Sequence, residues 1–219
     1  MIPLRDINPT KRFPLVTIAI IALNVLVFAF EFFLPHEMLN DVAAAWGLIP
    51  ARLTNLDPVA FLTVFTSMFL HGGPAHLIGN MLYLWIFGDN IESAMGSFRF
   101  AIFYLLCGLG AALGQVLVNP LSSVPMVGAS GAISGILGSY LLLYPTAEVE
   151  ALVFLGYFVR LVRLPTLVVV GSWIVLQLLS GVMSLGMQAT GGVAWFAHIG
   201  GFAAGIVLIG VFRRRRWWE

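Results

Sequence analysis

The sequence predicts an all-α membrane protein with six transmembrane helices, and three observations predict it. Of 219 residues, 60% are hydrophobic and only 10% are charged, giving a mean hydropathy of +0.98. Soluble domains carry roughly a quarter charged residues and could not hide this much apolar surface. The apolar residues also fall into runs close to the roughly 20 residues that cross a hydrocarbon core of about 30 Å. Finally, the cations gather at alternate ends of those runs, the bias that orients membrane helices.

The first span covers about residues 15–34, after Lys11 and Arg12 and before Pro35. It is long enough to cross and lacks a small-residue cleavage site, so it reads as a retained helix rather than a signal peptide. A long outer connection, 35–73, follows. It holds "WGLIPARL" and "VAFLTVFTSMFL". The second of these is too short to span and has the character of a segment that lies in the interface or re-enters partway. The second span, about 74–88, ends at Asp89 and Glu92, and the third, about 99–118, follows Arg99 and stops before Asn119-Pro120. The fourth is short, about 128–144, and is closed by Pro145. The fifth covers about 165–185 and the sixth about 193–212, followed by the basic tail 213–219. All of 1–219 reads as one transmembrane domain without a fixed-period repeat.

Arg5, Lys11, Arg12, Arg99, Arg160, Arg163 and Arg213 to Arg216 fall on one side of this scheme, and only Arg52 falls on the other. The positive-inside bias therefore puts both termini in the cytoplasm, as an even number of spans requires. Trp217 and Trp218 beside the terminal arginines suit an interfacial anchor. A bacterial-type plasma membrane fits this minimal layout. The net charge of +1 gives no case for a nucleic-acid partner. The single cysteine, Cys107, excludes an intrachain disulfide and reads as packing.

Polar side chains in hydrocarbon are costly and tend to mark function, although any one of them alone is as well explained by helix packing. Here their placement is joint. Ser130 lies 14 residues above Tyr144, His198 lies 14 above Phe212, and His76 lies 13 above Asp89. All three spans run from outside to inside, so these residues share a depth about 20 Å above the inner boundary. A neutral imidazole is the usual base for a serine nucleophile, which assigns Ser130 the attack and His198 the proton. Ser130 stands in the first turn of its helix, where free backbone N–H groups favour an anion. His76 and Asn80, four apart in "HLIGNM", share a helix face and can add donors to an oxyanion hole with the Ser130 amide. Gly131 and Gly135, with Gly201 and Gly205, form two G-x-x-x-G faces that allow close helix approach. No carboxylate is placed beside His198, so a Ser–His dyad is expected rather than a triad.

These residues carry a resemblance. "GASG" from Gly128 with Ser130, "AHIGGFAAG" with His198, and "HGGPAHLIGNM" with His71, His76 and Asn80 resemble the rhomboid intramembrane serine proteases. "WGLIPARL" in the outer connection and "IESAMGSFRF" after the second span are also similar to that family, and the resemblance runs from about residue 14 to 212. It implies hydrolysis of peptide bonds within or beside transmembrane segments of protein substrates embedded in the lipid bilayer. No metal or organic cofactor is implied. It further implies a structural or water-retaining role for His71, a structural inner-loop pair of Glu92 and Arg99, and a mobile fifth span where substrate enters. One departure is Ser134, which stands where some members place an aromatic ring over the catalytic histidine; Trp195 or Phe196 would have to supply that packing. The competing readings are a non-catalytic relative that binds membrane clients, and a transporter or channel. The serine and histidine are both present, which argues against the first. The absence of an inverted repeat argues against the second.

Overall fold

The structure is a computed structural model that describes residues 1–10, 12–156, 158–185 and 192–213. Lys11 and the tail residues Arg214 to Trp218 named above lie outside the described residues.

The chain starts with a short strand, β1 (Ile2–Asp6), and enters α1 (Leu15–Phe32). The connection 35–73 folds into α2 (His36–Trp46), α3 (Pro50–Thr54) and α4 (Pro58–Thr66), followed by one 3₁₀ turn over Ser67–Phe69. Prolines open α3 and α4 at positions where no amide partner is needed. Asp57 caps α4 by accepting from the Val59 amide at 3.0 Å. Its bond to Arg52 holds the Asp57 carboxyl below the usual carboxylate range.

The body is built by α5 (Pro74–Met95), α6 (Ser97–Val118), α7 (Ser130–Leu143), α8 (Thr166–Ser184) and α9 (Trp195–Phe212). Four described helices, α1, α6, α8 and α9, are long and apolar enough to cross a membrane. The segment Pro58–Phe69 and α7 are apolar but shorter. The outward faces of the long helices are apolar too: Leu26, Leu117, Met183 and Val211 are each more than 65% exposed. Such a surface suits lipid rather than water.

At the centre lies α7. Every residue from Gly131 to Tyr140 is buried, because α5, α6, α8 and α9 all pack around it. Small residues make this possible. A Cβ on Gly201 of α9 would collide with the Gly131 carbonyl of α7, and one on Gly205 with the carbonyl of Gly135. The two G-x-x-x-G stretches therefore lie face to face, and Ser139 adds a bond to the Gly205 carbonyl at 3.0 Å.

Two features depart from the sequence expectation. The second helix does not stop at residue 88 but continues to Met95, before Gly96 turns the chain at φ +86°. It continues because Glu92 is buried against helix ends rather than solvated. Glu92 accepts from the Val16 amide at 3.0 Å, the Thr17 amide and hydroxyl at 2.8 Å each, and the Ser97 hydroxyl at 2.6 Å. The free amides and dipole at the start of α1 offset the cost of burying this carboxylate. Arg99, expected to act with Glu92, forms no ion pair with it among the described residues. Glu92 works on the start of α1 instead.

The second departure is a sheet in a chain expected to be wholly helical. The stretch between α7 and α8 forms a hairpin, β2 (Glu148–Leu155) and β3 (Phe158–Pro165), and β1 adds to β2, giving an antiparallel sheet in the order β1-β2-β3. Leu155 pairs with Phe158, so the turn holds two residues, and its first, Gly156, has φ +63°. A two-residue hairpin turn requires such a backbone. Glu150 of β2 joins all three strands by accepting from Arg5 at 2.6 Å and Arg163 at 3.0 Å. Both guanidinium groups hold the Glu150 carboxyl below its usual range. Asp6 at the end of β1 accepts from the Tyr140 hydroxyl at 2.6 Å and from Asn90 at 2.7 Å, which ties the sheet to the C-terminal ends of α7 and α5.

Candidate active site

Ser130 is the first residue of α7, and Gly128 prepares its position. Gly128 adopts φ +123° and donates its amide to the Ser67 carbonyl at 2.8 Å. A Cβ there would also fall 2.8 Å or less from the ring of His76. Only glycine meets both demands, and by doing so it lets His76 approach the start of α7.

His198 lies in the first turn of α9. The glycine contacts between α7 and α9 bring its Nε2 to 2.8 Å from the Ser130 Oγ. Its Nδ1 is 2.8 Å from Oε1 of Gln177 on α8. Two tryptophans border the ring: Trp173 of α8 at 5.8 Å between centroids, and Trp195 at 6.4 Å edge-on. Phe196, the other aromatic considered from the sequence, faces Gly181 of α8. Ser134 turns back along its own helix and donates to the Ser130 carbonyl at 2.6 Å.

His76 and Asn80 stand one turn apart on α5, beside the start of α7. The Gly72 amide donates to His76 Nδ1 at 3.3 Å, so the neutral ring carries its proton on Nε2. That nitrogen faces the Gly128 side of the site, since a Cβ on Gly128 would lie 2.8 Å from it. Asn80 is buried, and its Nδ2 has no partner. A buried amide donor left open is costly, and such groups in native structures call for an explanation. Together with the Ser130 amide, these are three donors around one volume.

That volume is a cavity of about 690 Å³ lined by His76, Asn80, Tyr83, Ser130, Trp173 and His198, among others. His71 stays outside it. Its ring packs edge-on to that of His76 at 5.2 Å, and its backbone amide donates to the buried Glu31 of α1 at 3.2 Å. Among the described residues, no group of three or more His, Cys, Asp or Glu side chains is placed to hold a metal ion.

The structure therefore gathers Ser130, His198, His76, Asn80, Gly128, Gly131 and Gly201 at one place, with Gly205 a turn further along the same helix contact. It leaves Glu92 near the C-terminal end of α5 and Arg99 at the start of α6, away from this place. Sequence reasoning missed Gln177 and Trp173. The available signal was a polar residue inside the apolar fifth span, four residues after a tryptophan, so that both share one helix face.

A family model described as the Rhomboid domain matches residues 59–215. The chain is 30% identical to RHOMBOID-like protein 1 of Arabidopsis thaliana, over 94% of this chain and 56% of that protein. It is 32% identical to the putative rhomboid protease YdcA of Bacillus subtilis, over 60% of this chain and 63% of that one. Similarity to the rhomboid protease GluP of the same bacterium is higher, 41%, but covers 36% of this chain and 15% of GluP. The chain thus spans less than two thirds of the length of each of these relatives.

Proposed function

The chain belongs to the rhomboid family, and we propose that it is an intramembrane serine endopeptidase acting through a dyad of Ser130 and His198. The observation that carries this reading is the 2.8 Å approach of His198 Nε2 to Ser130 Oγ, between residues 68 positions apart on two different helices. Packing needs neither group. A hydroxyl aimed at an imidazole inside an apolar bundle has the geometry of a nucleophile and its base.

The chemistry follows from the site. Neutral His198 removes the Ser130 proton at Nε2 while Oγ attacks the carbonyl carbon of a substrate peptide bond. The carbonyl oxygen becomes an oxyanion, which the Ser130 amide, His76 Nε2–H and Asn80 Nδ2 are positioned to receive. As the C–N bond breaks, the imidazolium gives its proton to the leaving nitrogen, leaving an acyl ester on Ser130. Water then attacks the ester while His198 takes its proton; as the acyl–Oγ bond breaks the imidazolium returns that proton to Ser130 Oγ, and the second product leaves as a carboxylic acid. Water must reach this point for the cycle to close, and the 690 Å³ cavity, with His76, Asn80, Ser130 and His198 in its wall, supplies the space.

Proteins with transmembrane segments are the substrates this reading assigns, and no cofactor takes part. One membrane domain crosses the bilayer six times, with α1, α5, α6, α7, α8 and α9 as spans and both termini in the cytoplasm of a bacterial-type cell. The helices α2 to α4 lie at the outer interface, and α8 borders the side from which substrate approaches. The test is cleavage of a fluorescent transmembrane substrate in liposomes by wild type, Ser130→Ala and His198→Ala. Cleavage by wild type alone supports the reading. Equal rates in all three would assign the cutting to a contaminant, and no cleavage by a folded wild type on several substrates would favour client binding without catalysis.

A further inference from the structure

We infer that Gln177 is a positioning residue for the dyad, holding the proton of His198 on Nδ1 so that Nε2 stays free to accept from Ser130. The inference deepens the proposed reading of Ser130 and His198 and rests on it.

A neutral imidazole carries one proton and can hold it on either nitrogen. Only the tautomer with Nδ1–H leaves Nε2 able to take the serine proton. In this site Nδ1 faces the Gln177 Oε1 at 2.8 Å. A carbonyl oxygen accepts and cannot donate, so with the Gln177 oxygen turned toward the ring the bond is made only by the productive tautomer. Gln177 is 7% exposed, which removes most competition from water. Trp173, one turn earlier on the same helix, lies beside the ring at 5.8 Å, so α8 supplies both the acceptor and an aromatic wall.

The residue type fits its surroundings. A carboxyl group in this position would ionise only at a cost in its apolar setting. An amide with its oxygen toward Nδ1 favours that tautomer without bringing a charge. It also ties the dyad to a third helix. Ser130 belongs to α7, His198 to α9 and Gln177 to α8, so the histidine is oriented only while α8 is seated. The outer face of α8 is apolar and open, with Leu176, Leu179, Val182 and Met183 all more than half exposed. Displacing α8 from α9 would take the acceptor away and free the tautomer.

The test uses the full chain in detergent, labelled with ¹⁵N-histidine, together with cleavage kinetics. The chain has four histidines, and a His198→Ala spectrum identifies the signals of His198. Wild type is expected to show His198 protonated at Nδ1. Gln177→Leu is expected to show a mixture of tautomers and to lower kcat about tenfold, the worth of one neutral hydrogen bond, with KM within about twofold. Gln177→Glu is expected to recover most of the kcat and to move the acid limb of the pH–rate profile to higher pH, since a carboxylate favours the imidazolium. If Gln177→Leu does not fold, Gln177→Met removes the carbonyl at similar shape. Unchanged ring signals in the apolar variant would overturn the inference, as would an unchanged kcat. Equal kcat losses in the Leu and Glu variants would also overturn it, because packing alone would explain them. If wild type shows the Nδ1–H tautomer but cuts nothing, the protease reading fails and the tautomer assignment stands.

Discussion

Gly201 of α9 rests directly on the backbone carbonyl of Gly131 in α7, leaving no room for a methyl group between them. This contact lies three residues from His198 and one from Ser130, so it sets the separation of those two side chains. Gly201→Ala is expected to push the helices apart, lower kcat at least 100-fold and destabilise the fold by about 1–3 kcal/mol. Gly210→Ala, on the same helix in open space, serves as the control and should change neither activity nor thermal stability appreciably. Activity and melting temperature of the two variants check this, and similar behaviour would refute it.

Asn80 carries a buried donor with no partner in the resting site, a state that makes sense if its partner is the oxyanion. Asn80→Ala should lower kcat by about 10²-fold, in the range found when one oxyanion donor is removed, and should leave KM nearly unchanged. A rise in KM at constant kcat would mean that Asn80 binds the ground state instead.

How much of this was legible in the chain can be judged from particular residues. The approach of His198 to Ser130 was legible because each stands at the start of a short apolar run, and runs of similar length end at a shared boundary. The packing of the G-x-x-x-G faces was legible for a similar reason, since small-residue spacing is a local pattern. The sheet was not. Its outer strand β1 comes from the N-terminus and pairs with a segment 145 residues away, as Arg5 and Glu150 show, and such long-range pairing leaves little local trace. The hairpin itself did leave one: Gly156 between two runs rich in Val, Leu and Phe. Gln177 was passed over because a single amide in an apolar helix has no meaning until the helix it faces is known. The role of Glu92 was hidden in the same way, since α1 lies 75 residues earlier in the chain.

Glu92 joins the starts of α1 and α6 to the C-terminal end of α5. Glu92→Ala leaves the amides of Val16 and Thr17 without this partner, and is expected to cost about 1–3 kcal/mol. The loss should appear as a lower melting temperature. At temperatures where the variant is folded, kcat should stay within a fewfold of wild type, because the acid lies at the opposite end from Ser130. A selective loss of kcat with normal melting would contradict this account.

Stability should also depend on pH through Asp6. Burial, reinforced by the neighbouring Asp89, raises the Asp6 carboxyl to about 6, against 3.8 for the free group. The folded state therefore binds a proton more tightly than the unfolded chain. Stability from this group is greatest below about pH 4, declines as pH rises from 4 to 6, and is level above that. After allowance for partial solvent exposure the effect is roughly 1 kcal/mol. Asp6→Asn should flatten this slope in melting curves taken from pH 4 to 7.5. An unchanged slope would place the titration elsewhere.

The most direct measurement of the central claim is covalent capture of the nucleophile. The protein would be treated with a fluorophosphonate, digested and mapped by mass spectrometry, with His198→Ala treated in parallel. The account predicts a single phosphonylated residue, Ser130, whose labelling rate falls at least 100-fold in His198→Ala. Labelling at another serine, or equal rates in the two proteins, would contradict it.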